Sequence, residues 1–141
     1  MDDKALIDQG CVGLNLRRAA RVVTRKFEDA LRPFALTSFQ MSLLKALTDH
    51  PGAPQSALAK GFGMDISTMN RNVQPMVKRG LVVITPDKED QRIKRMMLTE
   101  EGAALFWKAL PVWAEVQRHF LERIGASGWP DMKATLNSLN E

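Results

Sequence analysis

Six polar side chains crowd one short stretch of the chain. Ser67, Thr68, Asn70, Arg71, Gln74 and Lys78 fall on one face if this stretch is a helix, while Met69, Val73, Met76 and Val77 fall on the other. Small hydroxyls come first, then an amide, then a guanidinium. Ser and Thr can contact bases or phosphates, and Arg can pair bidentately with guanine. The free amides at such a helix's start would also face phosphates. The mix suits a helix whose beginning lies in a major groove. A second basic set follows at Lys88, Arg92, Lys94 and Arg95. A basic β-loop beside a reading helix can reach an adjacent minor groove, whose negative potential attracts Arg. Asp90, two residues before Arg92, can hold that Arg in a fixed pose.

These side chains need elements to position them. Asp65 is a good cap for the polar helix, because its carboxylate can accept first-turn amides. The helix is predicted to run to Arg79 and to end at Gly80. Pro75 lies inside it, and the expectation is a kink there, with an early end and a restart as the alternative. Upstream, Pro54 suits the first turn of a short helix with Leu58 and Ala59 on its core side. Gly61 to Met64 then make a tight turn. Thr37-Ser38-Phe39-Gln40 has the capping-box pattern, and Phe39, Leu43, Leu44 and Leu47 mark the helix it opens. Residues 5–32 read as one long helix. Its stripe includes Leu6, Cys11, Leu14, Leu16, Val23 and Phe27, and the Arg17, Arg18, Arg21 and Arg25 side lies opposite.

Downstream, Leu81–Thr85 and Ile93–Leu98 read as two strands of a hairpin around a polar turn. Thr99 caps a helix over about 100–124, with Glu100 and Glu101 where the helix dipole favours negative charge and a bend expected at Pro111. Residues 125–128 break it, and 129–140 form a last helix. Helix, short helix, glycine turn, helix and hairpin, in that order, predict a mainly α fold with a small β-hairpin wing. That is a winged helix-turn-helix with flanking helices.

Composition sets the limits. The chain has 141 residues, 45% of them apolar and 26% charged, with a net charge of +4. This predicts one domain over 1–141. No apolar run approaches the ~20 residues of a membrane span, no secretory signal is expected, and a single cysteine fits a reducing cytoplasm. No nucleophile with a base, no phosphate loop and no metal set is visible, so neither an enzyme nor a cofactor is expected. His50, His119 and Cys11 lack the close spacing of a zinc site.

The sequence resembles the MarR-type winged-helix transcriptional regulators. The resemblance is carried by Leu36-Thr37 with Gln40, Leu58-Ala59, Ser67-Thr68-Met69-Asn70-Arg71 and Val77-Lys78-Arg79-Gly80-Leu81-Val82. It continues in Asp90-Gln91-Arg92 and Leu98-Thr99-Glu100-Glu101-Gly102. It implies a homodimer formed by helices at about 5–35 and 100–140, with a DNA-binding part over about 37–99. It implies a pseudo-palindromic double-stranded DNA operator and a repressor relieved by a small anionic or aromatic effector. Arg17, Arg18 and Arg21 are candidates to line the effector cleft; a merely solvated face is the alternative. Family members that sense peroxides carry a reactive Cys near the start of the first helix, which makes Cys11 a redox candidate. Those sensors surround the thiol with tyrosines, and this chain has none; a small buried hydrophobe is the competing expectation. The same fold could also serve as a protein-docking module without DNA. Met64, Met69, Met76, Met96 and Met97 read as core filler, and the tryptophans as packing residues.

Overall fold

The computed structural model describes all residues, Met1–Glu141. In chain order the elements are α1 (Asp3–Asp8), α2 (Val12–Leu31), a 3-10 turn (Arg32–Phe34), α3 (Ser38–Asp49), β1 (Ala53–Pro54), α4 (Gln55–Gly61) and α5 (Ile66–Lys78). Then come β2 (Val82–Pro86), β3 (Lys94–Leu98), α6 (Glu100–Ile124) and α7 (Gly128–Ser138). The predicted winged helix-turn-helix is therefore present.

The sheet has the order β1-β3-β2 and is antiparallel. Val82 faces Leu98 and Pro86 faces Lys94, so the hairpin is in register along its length. The two-residue β1, which pairs Ala53 with Met96, had no sequence signal. It shifts Pro54 from the expected first turn of α4 to its cap position. The capping box at Thr37 forms in both directions, with Gln40 N–H donating to Thr37 Oγ1 at 3.1 Å and Thr37 N–H to Gln40 Oε1 at 3.0 Å.

Leu31, Leu43, Leu44 and Leu47 meet Met69, Val73, Met76, Val82 and Met96 in a core from which water is excluded. Met97 does not join it: alternation along β3 turns it outward, and it is 44% exposed. Met64 is only partly buried against the core's edge. α5 runs unbroken through Pro75 and α6 through Pro111, so no restart occurs at either proline.

The root of α6 is locked to the start of the hairpin. Thr99 N–H donates to the Leu81 carbonyl at 3.1 Å, and Thr99 Oγ1 donates to the Gly80 carbonyl at 2.6 Å. Gly102 N–H donates to Thr99 Oγ1 at 3.0 Å. A Cβ on Gly102 would collide with the backbone of Leu81. This explains the glycine of the Leu-Thr-x-x-Gly pattern by close approach.

The predicted single helix over 5–32 is instead two. Gly10 takes φ 86, a conformation that favours glycine, and turns the chain between α1 and α2. Cys11 then caps α2, its Sγ accepting the Leu14 amide at 3.4 Å. It is exposed rather than a buried hydrophobe. α2 packs on α6 through Phe27, whose ring lies 5.8 Å from Trp113 and 5.9 Å from Phe120. No residue of α1 or α7 is buried.

Candidate nucleic-acid interface

The recognition surface starts at Asp65. Its carboxylate accepts the Thr68 amide at 2.7 Å, and that bond above all holds its pKa below the usual carboxylate value. The cap fixes the first turn of α5, and the buried Met69, Val73 and Met76 fix its roll. Ser67, Asn70, Arg71, Gln74 and Lys78 consequently stand exposed on the outer face, and Thr68 is half-buried beside them. Arg71 is exposed and forms none of the ion pairs of the chain, although its charge helps to lower the Asp65 pKa, so its guanidinium donors remain available to a ligand. Asn70 is held differently: its Oδ1 accepts from Gln74 Nε2 at 3.0 Å and from Gln55 Nε2 at 3.4 Å.

Sequence reasoning missed two residues here. Ile66, the first residue of α5, is 54% exposed. An aliphatic side chain at that point can contact a thymine methyl. Its signal was an apolar residue beside the cap but outside the Met69–Val73 stripe. Gln55 was passed over because nothing in sequence marks a glutamine that turns inward.

The wing is braced by two acidic turns. Asp87 accepts the amides of Glu89 at 3.1 Å and Asp90 at 3.0 Å. Asp90 grips Arg92 through Nε at 3.0 Å and Nη2 at 3.1 Å, and also accepts the Arg92 amide at 3.1 Å. This pairing lowers the Asp90 pKa and raises that of Arg92, keeping both charged. Arg92 is nevertheless 92% exposed on its side chain, so it is aimed rather than neutralised. Lys88 and Lys94 are exposed beside it. Arg95 leaves the expected basic set. It donates to Asp87 Oδ1 at 2.6 Å and to the Gly52 carbonyl at 3.0 Å, tying the wing to β1. The Arg95 bond is the main cause of the lowered Asp87 pKa.

Arg17, Arg18 and Arg21 are exposed on α2. Of these, Arg21 borders a shallow polar hollow with Arg25, Glu28 and Arg32, whereas Arg17 and Arg18 line none of the main hollows. A different hollow, of about 140 Å³, lies between α3 and α6 and is lined by Met41, Ser42, Lys45, Phe106, Leu110 and Trp113. An apolar groove of about 520 Å³ lies among α2, α6 and α7, with Val23, Phe27, Phe120, Trp129 and Leu136 among its walls.

The model of the MarR family matches residues 36–94, which span α3 through the start of β3. Over its whole fold the chain is similar to the Mycobacterium tuberculosis transcriptional regulator MosR in complex with DNA. Identity is 34% and the TM-score 0.83, covering 92% of this chain and 93% of that one. The chain belongs to the MarR family. The HTH-type transcriptional repressor NicR of Pseudomonas putida is 37% identical over 100 residues. That alignment takes in 71% of this chain but 63% of NicR's length. CouR of Rhodococcus jostii, bound to p-coumaroyl-CoA, is 28% identical with a TM-score of 0.81, covering 94% of this chain and 93% of CouR. This MarR-family chain is thus a DNA-binding transcriptional regulator, and its relatives are regulators rather than enzymes. No helix in it is long and apolar enough to cross a membrane.

Proposed function

We propose that the chain acts as a homodimeric repressor that reads a pseudo-palindromic operator and is released by a small aromatic, anionic effector. The observation that carries the reading is the outer face of α5. Ser67, Asn70, Arg71, Gln74 and Lys78 stand exposed on a helix whose opposite face is fully anchored, next to a wing that presents Arg92. Ser67, Thr68, Asn70, Arg71, Gln74 and Lys78 read the major groove, while Lys88, Arg92 and Lys94, with Asp90 as the brace, meet the flanking minor groove. A docking face would instead be more apolar at its centre. Residues 37–99 form the DNA-binding part of one domain, and the helices on either side form the dimer. The groove among α2, α6 and α7 supports this, since its apolar walls have no cover within one chain. The name of NicR as a repressor supports the sign of regulation.

The hollow between α3 and α6 supports the effector class. Phe106, Leu110 and Trp113 line it with Lys45, whose ammonium is paired with Asp49, so its walls suit an aromatic ring and an effector's acid group would take the place of Asp49. CouR's bound p-coumaroyl-CoA is an aromatic acyl compound. Titration of duplex DNA at rising salt tests the main claim. A steep loss of affinity is expected, because bound phosphates release their counterions; a flat response would leave the docking module. A thermal-shift screen of phenolic acids tests the effector, since a ligand of the native state raises stability. A second reading is favoured by one observation: the Cys11 thiol is exposed at the cap of a long helix. If it senses peroxide, Cys11→Ser keeps DNA binding and loses the peroxide response.

A further inference from the structure

The two bonds converging on Asn70 have a consequence for base selection. A carbonyl oxygen has two lone pairs. Those of Asn70 Oδ1 are taken by Gln74 Nε2, one helical turn along α5, and by Gln55 Nε2 from α4. Gln55 is 7% exposed, so it approaches from inside the fold while Asn70 remains exposed outside. The side chain of Asn70 therefore offers the solvent its Nδ2 hydrogens and no free acceptor.

An unrestrained asparagine pairs with adenine through both ends of its amide, accepting from N6 and donating to N7. A restrained one that can only donate, through two hydrogens, best matches an edge that presents two acceptors and no donor. In the major groove that edge is guanine, with O6 and N7. We propose that Gln55 and Gln74 lock the Asn70 amide as a donor, so that Asn70 selects guanine over adenine at one position of each half-site. Gln55 is thereby a positioning residue that never touches DNA. It sits directly after β1, whose partner strand is the wing's β3, so the lock is anchored in the sheet. This inference rests on the proposed placement of α5 in the major groove.

The test is selection of bound sequences from a randomised duplex library by the full-length protein and its variants. Asn70→Ala identifies the column that Asn70 reads. In the parent protein this column favours guanine. Gln55→Met removes one donor at nearly constant volume and frees a lone pair on Asn70 Oδ1. The guanine-to-adenine preference at that column falls between about 5- and 100-fold. The other columns, and the salt dependence of binding to non-specific duplex, stay as they are. Asn70→Asp, a surface change that does not depend on the interior tolerating Gln55→Met, replaces donors by acceptors. It moves the column from guanine to cytosine, whose N4 donates. A Gln55→Met protein that keeps the parent's full preference for guanine at the column that Asn70→Ala and Asn70→Asp identify overturns the donor lock while leaving groove reading intact. A parent protein that selects no consensus removes groove reading itself, and the lock with it.

Discussion

The winged helix-turn-helix and the terminal helices are built to different standards. Between Leu31 and Ala109, large apolar side chains from α3, α5, β2, β3 and α6 enclose one another until almost nothing of them meets water. At the chain ends the balance reverses. Leu6, Ile7, Val12, Leu14 and Leu139 are each 45% exposed or more, and α7 buries no residue at all. The middle of the chain completes its own interior. The ends carry large apolar side chains too, but the chain covers them only in part, and exposed apolar surface of this kind is the mark of an interaction surface. The closed core therefore lies in one region, and the proposed dimer would draw on the other.

That contrast can be broken at its weakest point first. Leu136→Glu places a charge in the groove among α2, α6 and α7. An unpaired charge buried in a contact costs about 3–5 kcal/mol. If this face pairs two copies, sedimentation should show monomers at concentrations where the parent protein is dimeric, with operator affinity lost and the winged helix still folded. A monomeric parent protein would refute the assignment. Next is Gly102→Ala, which strikes the self-sufficient region. Its methyl group would enter the Leu81 backbone, and overpacking of this kind costs about 1–3 kcal/mol. Thermal or denaturant unfolding should report the loss, and an unchanged midpoint would show that the strand gives way freely.

Arg71→Ala leaves both regions intact and removes a groove contact. Specific binding should weaken by about 1–3 kcal/mol, with one base position relaxed, as read by competition with single-base operator variants. Arg92→Ala should cost less and act at the operator's flanks, trimming the footprint at its outer edges and lowering the salt dependence of binding. The smallest effect concerns the wing's brace. The Asp87 carboxyl is held below its ordinary 3.8 chiefly by Arg95. A lowered carboxylate pKa in the folded state stabilises the fold above that ordinary value, and the contribution fades as pH falls through the lowered one. The stability gap between the parent protein and Asp87→Asn should thus be constant above pH 3.8 and close below it.

Much of this was legible in sequence because it depends on local rules. Asp65, Thr37 and Thr99 sit at caps whose bonding needs only neighbours. The spacing of Met69, Val73 and Met76 sets which side of α5 is outward. What was hidden depends on distant partners. Arg95 has the same local signature as Lys94, yet Asp87 and Gly52 draw it inward. Gln55 is polar by type and buried by circumstance. The break at Gly10 was hidden for another reason: the apolar stripe continues in phase on both sides, so periodicity carried across a turn that only the glycine announced. Arg17 and Arg18 stand exposed on α2, where the sequence left a solvated face and a cleft lining as alternatives.

Thr99 and Gly102 make a tight joint. Bonds to Gly80 and Leu81, together with the missing methyl, leave no slack between the longest helix and the hairpin it follows. Such a junction behaves as a weld. A tilt of the long shaft would therefore carry the blade at its end with it, and in the proposed dimer the angle between two shafts would set the distance between two blades.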